Sequence, residues 1–277
     1  MTQATGDTRP IAMLDSGVGG LSILREVRRA LPHEDILYFA DQVHVPYGPR
    51  PLTEIQGLAE GITRFLLAQR AKTVVVACNA ASAASLHYLR ATFPGVPFVG
   101  MEPAVKPAAE QTQSGVIGVV TTEATFQGEL FASVVGRFAQ GIEVLTQVCP
   151  EFVTLVEQGS VEGGPVREVV RARLEPLLAK GIDHLVLGCT HFPFLEKLIA
   201  EEVGPGVRLV DPSPAVARQV GRVVDGARNG QPGSGHVTHY TTGDVAAYTK
   251  LVKLLLGEEP GDVRQAFWQE GRLSERT

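Results

Sequence analysis

Two cysteines are placed where they could act together on one substrate. Cys78 follows the apolar run 74–77 and Cys189 follows the similar run 185–188, and in both cases the next residue has a short hydrogen-bonding side chain. Runs rich in Val and Leu are typical of strands that are buried on both faces of a parallel sheet. Ligands of open α/β sheets bind just beyond the carboxyl ends of the strands. The pattern therefore predicts one substrate held between two thiol acid–base groups.

The cysteine segments belong to a wider internal similarity. Residues 11–17 form a strand-like run that ends in small polar residues, and residues 116–122 form another. The offset between these two runs is close to the offset between the cysteines, and the order is the same. This favours two related α/β halves. The regular alternation of any α/β protein is the alternative explanation, because the identity is low.

The residues around Cys189 indicate which reactions its thiol could take part in. His191 lies two positions further on, where it could stabilise a thiolate or exchange a proton with it. A Cys–His nucleophile pair of a hydrolase is the rival interpretation, but it leaves Cys78 without a function. A metal site is not favoured, because no segment has the spacing of metal ligands.

The first strand leads into a glycine-rich loop, Asp15-Ser16-Gly17-Val18-Gly19-Gly20. Backbone N–H groups of such a loop can approach an anion. The sequence is neither a dinucleotide-binding fingerprint nor a Walker loop, so a tight strand–helix turn explains it equally well. Asp15 would repel a phosphate but suits an ammonium group or an acid–base partner. This combination points to an amino acid as the ligand.

Two further segments are weaker signals when each is taken alone. The loop Pro46-Tyr47-Gly48 offers a tyrosine hydroxyl and open amides that could bind a carboxylate, although a structural turn is the more common explanation. Glu157 ends a mostly apolar segment, and by itself it is best explained as a solvated carboxylate at a helix end.

Composition limits the class of protein. The chain has 277 residues, 44% of them hydrophobic and 20% charged, with a formal net charge of −5, which describes a globular protein that does not bind nucleic acid. We expect no membrane association, because no apolar stretch approaches the ~18 residues of a spanning helix. The three separated cysteines and the lack of an apolar core in residues 1–10 favour a reducing cytoplasm.

Strand-like runs alternate with helical patterns along the chain, which predicts an α/β fold with parallel sheets flanked by helices. Strands are expected at 11–15, 35–40, 73–78, 96–100, 115–120, 142–148, 184–188, 207–210 and 238–241. A capping box formed by Thr53 and Gln56 should begin the helix after the second strand.

The irregular stretches 101–107 and 204–214 are interpreted as crossings between domains. This gives a first domain of residues 1–101 plus 208–277 and a second domain of residues 102–207. The polar tail from Glu258 onwards, which contains the pair Phe267-Trp268, has no predicted function.

Together these segments closely resemble the glutamate racemases. That family carries an Asp-Ser-Gly-x-Gly-Gly start, a Pro-Tyr-Gly loop, Cys-Asn-x-Ala-[Ser/Thr], a Cys-Pro-x-Phe-Val segment leading to a Glu, and Gly-Cys-Thr-His-x-Pro. Here they are the segments 15–20, 46–48, 78–82, 149–157 and 188–193, in family order. The resemblance implies a cofactor-independent enzyme that interconverts L- and D-glutamate and supplies D-glutamate for peptidoglycan. It also implies two pseudosymmetric three-layer α/β domains with mainly parallel sheets, an active site in the cleft between them, and a homodimer.

The resemblance also assigns residues by position. Cys78 should handle the α-proton of D-glutamate and Cys189 that of L-glutamate, with Asp15 and His191 assisting their respective thiols and Glu157 as a further acid–base helper. The substrate contacts implied are Asp15, Ser16, Tyr47, Gly48, Cys78, Asn79, Ala80, Thr122, Cys189, Thr190 and His191. Thr121 is as plausible as Thr122.

One departure from the family pattern concerns the affinity for the substrate. Ala80 stands where the family usually has Thr or Ser, so a hydroxyl expected to hold substrate is missing. The alternatives are a racemase of another amino acid such as aspartate, or a ligand-binding relative with impaired catalysis. Retention of both cysteines, Asp15 and His191 argues against the second.

Overall fold

The strands form two separate sheets in the computed structural model, which describes residues 6–228 and 235–275. The first sheet consists of β1 (Ile11–Asp15), β2 (Ile36–Ala40), β3 (Thr73–Val76), β4 (Phe98–Val99), β9 (Val237–Thr241), β10 (Asp262–Gln269) and β11 (Arg272–Glu275). The second consists of β5 (Val116–Thr121), β6 (Glu143–Val148), β7 (His184–Leu187) and β8 (Arg208–Val210). Residues 1–5, 229–234 and 276–277, which the predicted first domain includes, lie outside the described residues.

Helices connect successive strands from β1 to β10, as the alternating pattern predicts. They are α1 (Leu21–Ala30), α2 (Leu52–Ala68), α3 (Asn79–Thr92), α4 (Val105–Gln111), α5 (Glu123–Gln127), α6 (Glu129–Phe138), α7 (Pro150–Glu157), α8 (Gly164–Leu178), α9 (Glu196–Val203), α10 (Ser213–Val223) and α11 (Val245–Leu256). Within the described ranges, none of these helices has the length and apolarity needed to cross a membrane.

The two sheets repeat one strand order. The first contains the series β2-β1-β3-β4, and the second is the series β6-β5-β7-β8, with every pair parallel. In this correspondence β1 matches β5 and β3 matches β7, which are the runs that the sequence comparison paired. The prediction of two pseudosymmetric α/β halves with mainly parallel sheets is confirmed.

Burial explains why the central strands carry so few polar residues. All residues of β3 and of β7 are buried, because helices cover both faces of each sheet. One buried apolar cluster runs through both halves, from Val18 and Leu21 in the first to Phe152 and Phe192 in the second. The halves therefore share a core around the carboxyl ends of their central strands.

Two details of the sequence-based description are wrong. Strand β8 pairs with β7, so residues 208–210 belong to the second sheet and the return to the first half follows them. Helix α2 begins at Leu52 after Pro51, which places Thr53 inside the first turn, and no side chain caps this end. The side-chain amide of Gln56 donates instead to the Ala84 carbonyl oxygen at 2.7 Å. The predicted boundary at residue 208 is wrong because β8 belongs to the second sheet, and the rest of the division into domains remains a prediction.

The tail forms a β-hairpin that the sequence analysis did not predict. Strand β10 extends the first sheet beside β9, and β11 pairs antiparallel to β10. Glu270 and Gly271, with φ of 48° and 74°, form the two-residue turn between them. Two positive φ values in succession give a turn whose twist matches that of paired strands.

A buried ion pair fixes the amino end of β3. The Lys72 ammonium group lies 2.5 Å from the Glu34 carboxylate, and it also donates to the carbonyl oxygens of Asp7 and Ala227. Both charged side chains are almost fully buried. Removing Lys72 would take the ammonium group away from the buried Glu34 carboxylate and from two carbonyl oxygens, which is costly in a site that water cannot reach.

We expect Lys72→Met to lower the free energy of unfolding by about 3–5 kcal/mol. Chemical denaturation at neutral pH measures this. The matched control is Lys106→Met, since Lys106 forms an exposed 3.8 Å pair with Glu110 and its loss should change stability by less than about 1 kcal/mol. Equal effects of the two substitutions would contradict the assignment of Lys72 to the buried network.

Candidate active site

Both cysteines lie at equivalent strand ends. Cys78 is the second residue after β3, and Cys189 is the second residue after β7. Their exposed fractions are 5% and 6%. Asp15 and Thr121 end the two strands that neighbour them, β1 and β5. The carboxyl edges of both sheets therefore supply one thiol each to the region between the halves.

Cys78 is held as a neutral thiol. It caps the amino end of α3, where its sulfur accepts a hydrogen bond from the Ala81 amide at 3.4 Å and lies 3.8 Å from the Ser16 hydroxyl. Burial raises the pKa of the Cys78 thiol far above its usual range, and the Asp15 carboxylate adds to the effect. The Ala81 amide opposes this shift only in part.

Asp15 is fully buried, and only one of its two carboxylate oxygens accepts hydrogen bonds. Its Oδ2 accepts hydrogen bonds from the amides of Gly17 and Gly20, at 3.1 and 2.9 Å, and lies 3.2 Å from the Tyr38 hydroxyl. Its Oδ1 has no hydrogen-bond partner. Burial raises the pKa of Asp15. A buried carboxylate oxygen of this kind is suited to a ligand's ammonium group or to a shared proton.

Cys189 is paired with a cation. Its sulfur lies 3.6 Å from His191 Nδ1, and His191 Nε2 lies 2.7 Å from Glu157 Oε1. Burial alone would lower the pKa of His191, but its contacts with Cys189 and Glu157 outweigh burial and raise this pKa well above its ordinary value. Glu157 also accepts the Val18 amide at 2.8 Å, so this carboxylate is fixed from both halves of the chain.

The two thiols therefore differ although their positions are equivalent. Burial and the Asp15 carboxylate raise the pKa of the Cys78 thiol, whereas the Cys189 sulfur lies 3.6 Å from His191, whose own pKa is raised. One group can then remove a proton from a bound carbon acid while the other delivers one.

Comparison with known proteins agrees with this chemistry. The sequence pattern of the Asp/Glu/Hydantoin racemase family matches residues 20–220 of the chain. The chain belongs to this racemase family. A glutamate racemase of Herpetosiphon aurantiacus is 47% identical over 249 residues, which cover 89% of this chain and 98% of that protein.

Solved structures of racemases match the fold as well. Glutamate racemase isoform RacE1 from Bacillus anthracis superimposes with a TM-score of 0.83 at 31% identity, over 96% of this chain and 99% of that chain. The glutamate racemase from Francisella tularensis in complex with D-glutamate gives a TM-score of 0.81 at 30% identity, over 93% and 97%. These matches cover both sheets.

The glycine-rich loop of this racemase is not an anion cradle. The amides of Gly17 and Gly20 donate to Asp15, and the Val18 amide donates to Glu157. Glycine is required because the other half lies too close for a side chain. A Cβ on Gly17 would lie 2.0 Å from Glu157 Oε1, and one on Gly19 would lie 2.4 Å from His191 Nδ1.

The loop that carries Tyr47 contacts the second half, but not as the sequence suggested. The Tyr47 hydroxyl donates to Asp41 Oδ2 at 2.7 Å and is buried, so its hydrogen is not offered to a ligand. Gly48 accepts the Ala124 amide at 3.0 Å, and a Cβ on Gly48 would lie 3.2 Å from Thr122. The loop therefore contributes its shape and backbone at the junction of the halves.

The remaining predicted contacts are all buried, and Asn79 differs from the others. Neither polar atom of its side chain has a hydrogen-bond partner, although only 2% of Asn79 is exposed. Unpaired buried amides are rare, so a ligand is the natural partner. Ala80 is 5% exposed, and Thr190 is held by the Ser22 hydroxyl, which donates to its carbonyl oxygen at 2.9 Å.

The two adjacent threonines have different surroundings. The Thr122 hydroxyl lies 3.0 Å from that of Thr125 at the start of α5. Thr121 is fully buried, and its hydroxyl lies 3.4 Å from the Gly188 carbonyl oxygen within the second sheet. Thr122 lies so near Gly48 that a Cβ there would come within 3.2 Å of it, which places Thr122 at the junction of the halves.

Sequence reasoning missed two residues that hold this site. Tyr38, within β2, contacts Asp15, and no signal in its apolar strand marks it. Asp41 follows β2 directly and holds Tyr47. The rule that identified Asp15, namely a polar residue at the end of a buried strand, also applies to Asp41. Within the described residues, no group of three or more His, Cys, Asp or Glu side chains could hold a metal ion.

We expect Gly19→Ala to lower kcat/KM by on the order of 10²-fold, because the methyl group would displace the His191 ring. Steady-state racemisation kinetics measure this. Gly57→Ala is the control, since Gly57 lies in α2, where an added Cβ would meet nothing within 4 Å, and it should tolerate alanine. Full activity of Gly19→Ala would contradict the close packing of the loop on His191.

Proposed function

We propose that this protein is a glutamate racemase that interconverts L- and D-glutamate without a cofactor and supplies D-glutamate for peptidoglycan synthesis. The observation that carries the proposal is the pair of buried thiols at equivalent strand ends, with Cys78 neutral and Cys189 beside the His191 imidazolium. The match to glutamate racemases over most of the chain supports the choice of substrate.

The chemistry requires one base and one acid on opposite faces of the α-carbon. A thiol titrates near ~8.5 when unperturbed, so near neutral pH one thiol can be ionised while the other is protonated. In the proposed L-to-D direction, Cys189 removes the α-proton and Cys78 delivers its own proton to the other face. The two thiols perform both proton transfers, so the reaction needs no carbonyl cofactor.

The reverse direction needs the opposite protonation states. Cys78 must then lose its proton before it can act on D-glutamate, and Cys189 must hold one. Asp15 and His191 are the groups that assist these changes, since each interacts with one thiol and both are buried. Glu157 orients His191 and stabilises its charge.

Substrate binding must also stabilise the carbanion. The α-proton of an amino acid is only weakly acidic, so donors aimed at the α-carboxylate in a dry site supply much of the stabilisation. Asn79 offers an unpaired amide, and Asp15 Oδ1 offers an unpaired acceptor for the ammonium group. The other proposed contacts are Ser16, Gly48, Ala80, Thr122 and Thr190, and Tyr47 shapes the loop that carries Gly48. The proposal includes a cytoplasmic homodimer.

We expect Cys78→Ala and Cys189→Ala each to lower racemisation by about 10²–10⁴-fold, because each removes one of the two acid–base groups. A coupled assay for D-glutamate formed from L-glutamate, with L-aspartate in parallel, measures turnover, and NMR in D₂O follows deuterium at the α-position. Cys149→Ala is the control, since this third buried cysteine packs in the apolar core and its sulfur donates to the Gln147 carbonyl oxygen. Full turnover of Cys189→Ala would contradict the two-thiol reaction, and turnover of aspartate alone would contradict the substrate.

We expect Asp15→Asn and His191→Asn to slow the two directions unequally, because each residue assists a different thiol. Because contacts with Cys189 and Glu157 raise the pKa of His191, its imidazolium form persists at pH values above the ordinary pKa of histidine. It loses its proton only at more alkaline pH. Deprotonation of L-glutamate should therefore decline on that alkaline side in the wild type, and His191→Asn should remove this part of the profile. Pre-steady-state deuterium exchange of each enantiomer against pH measures both effects. Equal losses in both directions for both variants would indicate a general defect in binding or stability.

A further inference from the structure

A buried carboxylate beside the candidate active site gathers donors from distant parts of the chain. Asp41 follows β2, and its side chain is fully buried. Its Oδ2 accepts the Tyr47 hydroxyl at 2.7 Å and lies 2.9 Å from His44 Nδ1. Its Oδ1 accepts the Thr242 hydroxyl at 3.1 Å and the Trp268 indole N–H at 2.8 Å. Hydrogen bonds to a buried charge are among the strongest in proteins.

The Trp268 indole reaches Asp41 from the C-terminal hairpin. Trp268 lies on β10, far along the chain from the loop after β2. Its ring packs against α2 at Gly61, where a Cβ would lie 2.6 Å from the indole, and it lies edge-on to His44 at 5.6 Å between ring centroids. The ring is therefore fixed on two sides, and its N–H is aimed at the carboxylate.

The other side of this network is the predicted substrate loop. Tyr47 is 2% exposed, and it packs in the same apolar cluster as Cys78 and Ala80. The carbonyl oxygen of the next residue, Gly48, accepts the amide of Ala124 in the second half at 3.0 Å. A shift of Tyr47 would therefore move the wall of the site near Cys78 and the junction of the halves.

We propose that Trp268 is a positioning residue for substrate binding, which acts through Asp41 to hold Tyr47 and Gly48 in place. The inference rests on the proposed function for the identity of the ligand, glutamate. The hairpin that carries Trp268 is then part of the machinery that shapes the substrate site, although it does not touch the substrate.

The first test is the kinetics of Trp268→Phe, which keeps a ring against α2 but removes the N–H donor. We expect the KM for both enantiomers to rise about three- to tenfold while kcat changes by less than about twofold, because the loss is a loss of uniform binding. Phe267→Leu is the matched control, since Phe267 is the neighbouring residue on the same strand and is exposed. A KM for Trp268→Phe equal to that of the wild type would overturn the proposal.

A second variant displaces the Trp268 indole through a substitution at a residue that makes no hydrogen bond to Asp41. Gly61→Ala places a methyl group where the Trp268 ring lies, whereas Gly57→Ala, one turn earlier in α2, meets nothing within 4 Å. We expect a rise in KM from Gly61→Ala alone, with thermal unfolding recorded for all variants. A rise that is equal in both glycine variants, or a fall in kcat that follows loss of folded protein, would overturn the positioning role.

The third test uses Trp268 as its own reporter, because it is the one tryptophan in the sequence. Titration of the wild type with D-glutamate should change the indole emission with a midpoint at the binding constant, and Tyr47→Phe should abolish most of the change. An emission that does not respond at saturating D-glutamate would overturn the coupling. If the wild type binds D-glutamate but does not racemise it, the proposed function is contradicted. The emission test would still show whether Trp268 is coupled to the ligand site.

Discussion

The site depends on the contact between the Asp15–Gly20 loop of one half and the Glu157–His191 pair of the other. The Val18 amide donates to Glu157, and two glycines bring the loop against the carboxylate and the imidazole. This packing sets the separation of the halves where the two thiols lie. A side chain at Gly17 or Gly19 would displace Glu157 or His191, so the two glycines keep these side chains in place beside the loop.

A symmetric scaffold here carries an asymmetric charge distribution. The strand order is repeated in the two sheets, and the cysteines follow equivalent strands by the same two residues. Their neighbours differ, since Cys78 faces a buried carboxylate and Cys189 faces an imidazolium. The proposed two-thiol reaction needs such a combination, because the reacting carbon requires groups on both faces, and in any one turnover one must accept a proton while the other donates one.

The first half contains three strands that have no equivalent in the four-strand order shared by the two sheets. Strands β9, β10 and β11 extend its sheet beyond β2, and the second sheet has no counterpart within the described residues. This extension reaches the loop after β2 through Asp41, whose carboxylate accepts donors from that loop, from Thr242 and from Trp268. The extra strands therefore stabilise one wall of the site rather than only the edge of a sheet.

The sequence by itself determined the α/β class, nearly all of the strands and the set of residues at strand ends, because buried parallel strands leave a strong apolar signal and their polar ends mark the ligand edge. It favoured the duplication, which the repeated strand order of the two sheets then confirmed. It did not predict the terminal hairpin, whose strands are half exposed, or the pairing of β8 with the second sheet. Only the tertiary structure decided that the glycine loop packs on Glu157 and His191 instead of binding an anion, and that the Tyr47 hydroxyl is taken by Asp41. These outcomes depend on contacts between residues far apart in the chain, which local patterns of residue type do not encode.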